Sequence, residues 1–238
     1  MVCKKCGKEF ISKNKAAIPD SGFICEKNRG DPMKNILILG DSYSTFEGCI
    51  PEGYATYYPH LNVTRVEQTW WAQVIRATGA RLAQNNSWSG STIGYTWYDN
   101  ADCSHTSSFI YRYRNLQKEG FFEKNAVDTV LVFGGTNDSW ANAPLGEMLF
   151  DEPKESDLFC VLPAICHLAA SLKCDLPEAE IVLMINTGIK EDIQNALEIA
   201  ATHYGIKSLR LRDIEKEAGH PTAEGMAQIC KQVLAVLK

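Results

Sequence analysis

The chain has 238 residues, with 24 Lys and Arg against 29 Asp and Glu, and 45% of its residues are hydrophobic. That is enough sequence to bury one substantial α/β core beside a small appendage, with no need of a disulfide framework. The formal net charge of −5 disfavours a general nucleic-acid binder. No apolar run approaches the roughly 20 residues that span a bilayer, and the composition excludes a collagen-like chain.

In chain order, residues 1–32 form a polar, Lys-rich segment ending in Asn28-Arg29-Gly30-Asp31-Pro32. It carries charge but no apolar stretch, so no secretory signal is expected and the reading places the protein in the cytoplasm with most of its nine cysteines reduced. Cys3-Lys4-Lys5-Cys6-Gly7 looks like a zinc knuckle, and Cys25 follows at zinc-ribbon distance. A second CxxC would put the fourth thiolate at position 28, where this sequence has Asn28. A structural zinc held by Cys3, Cys6 and Cys25 with a borrowed fourth ligand, or a degenerate ribbon, are the two expectations. The segment's role is read as protein interaction or tethering.

From residue 33 the character changes to alternating strands and helices. Residues 36–39, 127–133 and 181–185 are apolar runs of strand type, and 81–84 and 208–211 are weaker ones. Residues 69–78, 158–173, 193–204 and 222–237 carry apolar side chains at helical spacing. This alternation predicts a parallel sheet covered on both faces, with working residues on loops beyond the C-terminal strand ends.

Four polar clusters fall on such loops. Gly40-Asp41-Ser42-Tyr43-Ser44 follows the first strand and sets a serine hydroxyl at the mouth of the sheet; as a loop with an Asp helix cap it would be unremarked. Trp88-Ser89-Gly90-Ser91 follows the second strand, and Gly90 can offer an amide to an oxyanion with no Cβ in the way. Gly134-Gly135-Thr136-Asn137-Asp138 ends the strongest strand, with an Asn amide available to the same oxyanion. Glu217-Ala218-Gly219-His220 precedes the last helix, a spacing that lets a carboxylate bond an imidazole Nδ1–H and leave Nε2 as base. His60, His105, His167 and His203 are read structurally.

In this order the four clusters resemble the SGNH (GDSL-type) hydrolase family, over residues 33–238. The resemblance implies a three-layer α/β/α flavodoxin-like fold with a central parallel sheet of about five strands. It implies Ser42 as nucleophile, Gly90 and Asn137 with the Ser42 amide as oxyanion hole, and His220 as base. The family's usual Asp three residues before the histidine is Glu217 here.

The activity so implied is ester hydrolysis through an acyl-serine, with no cofactor. Trp88, Trp97 and Trp140 lie near the proposed oxyanion groups and are candidate substrate-binding residues; Trp70 and Trp71 open a helix and are assigned to the core. Polar motifs and the lack of a long apolar lid point to short acyl groups, such as acetyl on a carbohydrate. Lipase or thioesterase action on longer chains, and a non-catalytic binding role on the same scaffold, are the alternatives.

Overall fold

The structure, a computed structural model, describes residues 34–237. The expected zinc-ribbon-like segment and its ligands Cys3, Cys6 and Cys25 lie outside the described residues. Within them the chain runs β1 (Asn35–Gly40), α1 (Trp70–Thr78), β2 (Arg81–Ser87), α2 (Phe109–Lys118), α3 (Phe121–Lys124) and β3 (Thr129–Phe133). It continues through α4 (Thr136–Trp140), α5 (Val161–Asp175), β4 (Glu180–Ile185), α6 (Glu191–Tyr204), β5 (Lys207–Arg210) and α7 (Ala223–Val236). A two-residue hairpin, β6 (Lys216–Glu217) with β7 (His220–Pro221), interrupts the path into α7.

The five main strands form one parallel sheet in the order β2-β1-β3-β4-β5. Alternate residues of each strand point to opposite faces, and here both faces are apolar. Leu37, Leu39, Val130, Val132, Ile181 and Leu183 join α2, α5 and α6 on one side. Ile36, Ile38, Leu131, Phe133, Val182 and Met184 join Trp70, Trp71 and Val74 of α1 and Met226, Ile229 and Val233 of α7 on the other. The result is the expected three-layer α/β/α fold. Strand order reverses between β1 and β3, so the crevice beyond their C-terminal ends is the topological switch point where ligands bind in such sheets.

Local chemistry explains the element ends. Thr69 caps α1 by accepting from the Ala72 amide, and Gly79 closes it in the left-handed region at φ 70°. No helix among the described residues is long and apolar enough to cross a membrane, and none of the six described cysteines is in a disulfide.

The short helices α3 and α4 and the β6–β7 hairpin lie outside the expected elements, and two further differences bear on the site. Strand β2 runs on through Asn85, Asn86 and Ser87, all buried, because their polar groups find partners inside: Asn85 Nδ2 donates to the Ser44 carbonyl at 2.8 Å and Ser87 Oγ to Asn85 Oδ1 at 2.5 Å. Helix α2, which the apolar spacing did not predict, has the sequence Phe-Ile-Tyr-Arg-Tyr-Arg-Asn-Leu-Gln-Lys and buries Arg112 in its apolar face along with Phe109, Ile110, Tyr113 and Leu116. A charged residue at the centre of the buried stripe hides helical periodicity.

Gly225 in α7 marks the closest packing around the last helix. A Cβ there would stand 2.1 Å from the backbone oxygen of Glu215. Helix propensity alone would make Gly225→Ala stabilising by about 1 kcal/mol. Overpacking against backbone reverses the sign, and Gly225→Ala is expected to destabilise the protein by roughly 1–3 kcal/mol, read as a lower urea midpoint.

Candidate active site

The turn that carries Ser42 follows from one glycine and one aspartate. At Gly40 an added Cβ would stand 2.5 Å from Ser44 Cβ and from the Ser44 and Ser87 hydroxyl oxygens, so no side chain fits. Asp41 then accepts from the Tyr43 amide at 3.0 Å and caps the single 3-10 turn that carries Ser42. Ser42 Oγ lies 3.0 Å from His220 Nε2. Residues 178 positions apart in sequence thus meet at hydrogen-bond distance.

His220 sits on the β6–β7 hairpin, whose turn has Ala218 at φ 46° and Gly219 at φ 81°. That turn brings the Ala218 carbonyl to 3.3 Å from Nδ1. The expected Glu217 contact is not formed. Glu217 is exposed, facing His220 across the two-residue ladder, and the backbone oxygen takes the position beside Nδ1 instead. Burial holds the His220 pKa below the ordinary histidine value; the charges of His60 and Lys216 add to the lowering, and the Ala218 carbonyl opposes it. The ring is therefore neutral at neutral pH, the state in which Nε2 can accept a proton.

The other two loops converge on the same turn. Gly90 takes φ 82°, a conformation few side chains adopt, and its carbonyl accepts from Trp97 Nε1 at 2.7 Å. Asn137, in the first turn of α4, donates one amide hydrogen from Nδ2 to the Ser91 carbonyl at 3.0 Å, while Tyr98 Oη donates to its Oδ1 at 2.8 Å. The Ser91 carbonyl, which can only accept, fixes which end of the amide is nitrogen, Tyr98 holds the other end, and the second Nδ2 hydrogen is left for a ligand. Asp138, fully buried, accepts from the Ile93 amide at 2.9 Å and the Gly94 amide at 3.3 Å, tying α4 to the loop that carries Gly90.

Beneath these loops lies Arg112, which no motif in the sequence singles out. Its guanidinium is fully buried and donates through Nε to the Ser107 carbonyl at 2.9 Å, through Nη1 to the Asn86 carbonyl and to Asn86 Oδ1, and through Nη2 to the Gly40 carbonyl and Ser91 Oγ, both at 3.0 Å. Each of its five N–H groups has an acceptor, and none of the acceptors is a carboxylate. Burial pulls its pKa down to about 10, so it stays cationic at neutral pH.

Of the tryptophans expected near substrate, Trp97 and Trp140 are 40% and 41% exposed, unusual for rings of that size. Trp140 stands edge-on to His220 at 5.6 Å, and Trp88 packs on Tyr54 at 4.4 Å. Trp70 and Trp71 are core, as expected. His60, read as structural, lies against Tyr57 at the site's edge. Among the described residues no group of three or more His, Cys, Asp or Glu side chains could hold a metal ion.

With its serine hydroxyl paired to a neutral imidazole, the chain matches the family described as GDSL-like lipase/acylhydrolase over residues 34–237. A protein of Bacteroides uniformis described as a GDSL-like lipase is 42% identical, with a TM-score of 0.80 over 86% of this chain and 95% of that one. A second such protein, from Bacteroides ovatus, is 37% identical with a TM-score of 0.79 over 86% and 98%. An acetyl xylan esterase from Butyrivibrio proteoclasticus shares the fold at 15% identity and a TM-score of 0.54, over 88% of this chain and 64% of that one. No curated protein sequence matches significantly.

Two buried carboxyls under the site make its stability depend on pH. Burial raises Asp41 to about 7 and Asp138 to about 6, against 3.8 for a free Asp. Between about pH 4 and 7 the folded state keeps a proton on Asp41 that the unfolded chain has lost, so the group's contribution to stability is present at low pH and disappears as pH rises through 7. Asp41 Oδ2 also lacks a hydrogen-bond partner. Relative to wild type, Asp41→Asn is expected to gain stability from about pH 4 to pH 7 in urea unfolding and to level off above that; a constant difference over about pH 5–7 would mean that Asp41 is ionised throughout.

Proposed function

Because the chain belongs to the GDSL-like lipase/acylhydrolase family, we propose that it is a serine esterase working through an acyl-serine intermediate on short acyl esters, acetyl on a carbohydrate above all. The observation that carries this reading is the 3.0 Å contact between Ser42 Oγ and a His220 Nε2 that is neutral at neutral pH.

In this mechanism Ser42 Oγ attacks the ester carbonyl carbon as its proton passes to His220 Nε2. The carbonyl oxygen takes up the negative charge, and the amides of Ser42 and Gly90 with the second Nδ2 hydrogen of Asn137 receive it. His220 then protonates the leaving alcohol, the acyl–oxygen bond breaks, and the same nitrogen activates a water to release the acid. The roles assigned to Ser42, Gly90, Asn137 and His220 do not extend to Glu217; the Ala218 carbonyl is the group placed to hold Nδ1–H.

The short-acyl preference is supported by the surroundings. Trp97 and Trp140 offer exposed ring faces for a sugar, whereas the residues around the serine are polar or already packed. The fold shared with an acetyl xylan esterase is consistent with this at the level of analogy.

The test is hydrolysis of p-nitrophenyl acetate, butyrate and octanoate by wild type, Ser42→Ala and Asn137→Ala. Serine-dependent turnover that falls with chain length is expected, with Asn137→Ala slower by about 10²–10³. Turnover that rises with chain length would favour a lipase or thioesterase, and equal turnover by folded Ser42→Ala would overturn the mechanism. Tyr98→Phe, which releases the Asn137 amide to rotate, is expected to lower kcat by about tenfold with KM little changed, as a lost transition-state contact does.

A further inference from the structure

The histidine of this site has no side-chain carboxylate on Nδ1, yet its ring is in contact with three aromatic residues. The Tyr57 ring lies parallel to the imidazole, with centroids 3.7 Å apart and planes 8° from coincidence. Tyr43 tilts against it at 5.4 Å and Trp140 stands edge-on at 5.6 Å. Tyrosine hydroxyls bond the backbone on both sides of the histidine: Tyr43 Oη donates to the Gly219 carbonyl, and Tyr58 Oη to the Pro221 carbonyl at 2.6 Å. Tyr57 is itself fixed, since its amide donates to Thr45 Oγ1 at 2.9 Å, and Thr45 Oγ1 donates to the Ser42 carbonyl at 3.1 Å. The nucleophile turn, the stacked ring and the base thus form one connected unit.

We propose that Tyr57, assisted by the hydroxyls of Tyr43 and Tyr58, is the positioning residue of His220, and that the face of its ring stabilises the imidazolium formed when Ser42 Oγ transfers its proton to Nε2. This rests on the serine-esterase reading above. A charged ring over an aromatic face is attracted by its quadrupole, and the effect grows where water is excluded. The charged and titratable groups around His220 are few. Lys216 lies on its own hairpin, with Nζ donating to Asn186 Oδ1 and the Thr187 carbonyl, both at 2.9 Å. His60 packs against Tyr57, Asp41 lies under the nucleophile turn, and Glu217 is exposed on the hairpin. Lys216 and His60 oppose the imidazolium. Two favourable partners touch the ring: the Ala218 carbonyl at the Nδ1 edge and the Tyr57 face stacked over its plane.

The experiment compares wild type, Tyr57→Phe and Tyr57→Leu in three readouts: kcat for p-nitrophenyl acetate against pH, the rate of Ser42 labelling by a fluorophosphonate, and the His220 pKa by NMR. Leu keeps the ring covered but has no π face. The expected result is that Tyr57→Phe matches wild type, while Tyr57→Leu lowers kcat by about 3–10-fold and moves the acid limb about half a unit to one unit lower. The direction follows because losing a partner of the charged form lowers the pKa of a base. Graded fluorination of a phenylalanine placed at position 57 drains the ring face at constant shape; it should shift the limb progressively and covers the case in which Tyr57→Leu fails to fold. A limb and His220 pKa unchanged by fluorination, or a Tyr57→Phe as impaired as Tyr57→Leu, would overturn the proposal. Failure of the esterase reading looks different: wild type itself would then neither turn over ester in a Ser42-dependent way nor take up the fluorophosphonate at Ser42.

Discussion

The site depends on one buried cation. Arg112 reaches from α2 into the space beneath the sheet mouth and binds the Gly40 carbonyl just before the nucleophile, Asn86 at the end of β2, and Ser91 just after Gly90. These belong to two separate loops whose mutual placement decides whether a serine hydroxyl and an oxyanion donor can act on one carbonyl group. A lysine could not do this, because it has three donors on a single atom and no planar fork. Desolvating a guanidinium is costly, and here five neutral acceptors and the Phe109 ring, 4.6 Å from the guanidinium carbon, offset that cost. Fully satisfied, such a network fixes one geometry; losing an acceptor would strand a buried guanidinium N–H, and losing Arg112 would take a donor from the Gly40, Asn86 and Ser107 carbonyls.

The second half of the site is built differently. The oxyanion side is held by polar contacts of buried groups: Asp138 to the Ile93 and Gly94 amides, Asn137 between Ser91 and Tyr98, Arg112 below. The base side is held by rings and by tyrosine hydroxyls on backbone carbonyls. The difference suits the task of each. Donors aimed at a developing oxyanion must be immobile and correctly oriented before reaction, since their value lies in not having to reorganise. An imidazole that alternates between accepting and giving a proton needs a fixed plane but tolerates a softer partner.

Much of this was legible in the sequence, for identifiable reasons. The apolar runs behind β1, β3 and β4 are continuous because parallel strands are buried on both faces, a pattern that neither an amphipathic helix nor a strand with one solvated face produces. Ser42 and Asn137 stood out as candidates because each follows such a run and contrasts with it, whereas Gly90, after the weaker β2, and His220, ahead of α7, stood out by their place in the order of the four clusters. Arg112 was not found, since one arginine in Phe-Ile-Tyr-Arg-Tyr-Arg reads as a solvated residue, and only the tertiary fold shows it satisfied inside. Tyr57 stands in a tyrosine-rich stretch after Ser42 that reads as a cleft wall, but its contact with His220 was hidden, as was Tyr98: a ring stacked on a residue 163 positions away, or a hydroxyl bonded to one 39 positions away, leaves no local spacing. The Glu217 expectation failed on geometry. The turn at Ala218 and Gly219 is so tight that it folds a backbone carbonyl onto Nδ1 and leaves the carboxylate outside.

That substitution of a carbonyl for a carboxylate has a consequence for the balance of the reaction. A carboxylate beside Nδ1 raises the basicity of the imidazole and stabilises its charged form, at the risk of protonating it too early as pH falls. A backbone carbonyl orients the same tautomer with only a partial charge, and here burial and the neighbouring Lys216 and His60 charges push the pKa down. His220 is consequently a weaker base that stays available to lower pH. The proton transfer is then less favourable, and the difference must be recovered where charge of the opposite sign develops. In the proposed mechanism the oxyanion hole, with the buried Arg112 cation touching two of its three loops, is the place in this fold where it can be.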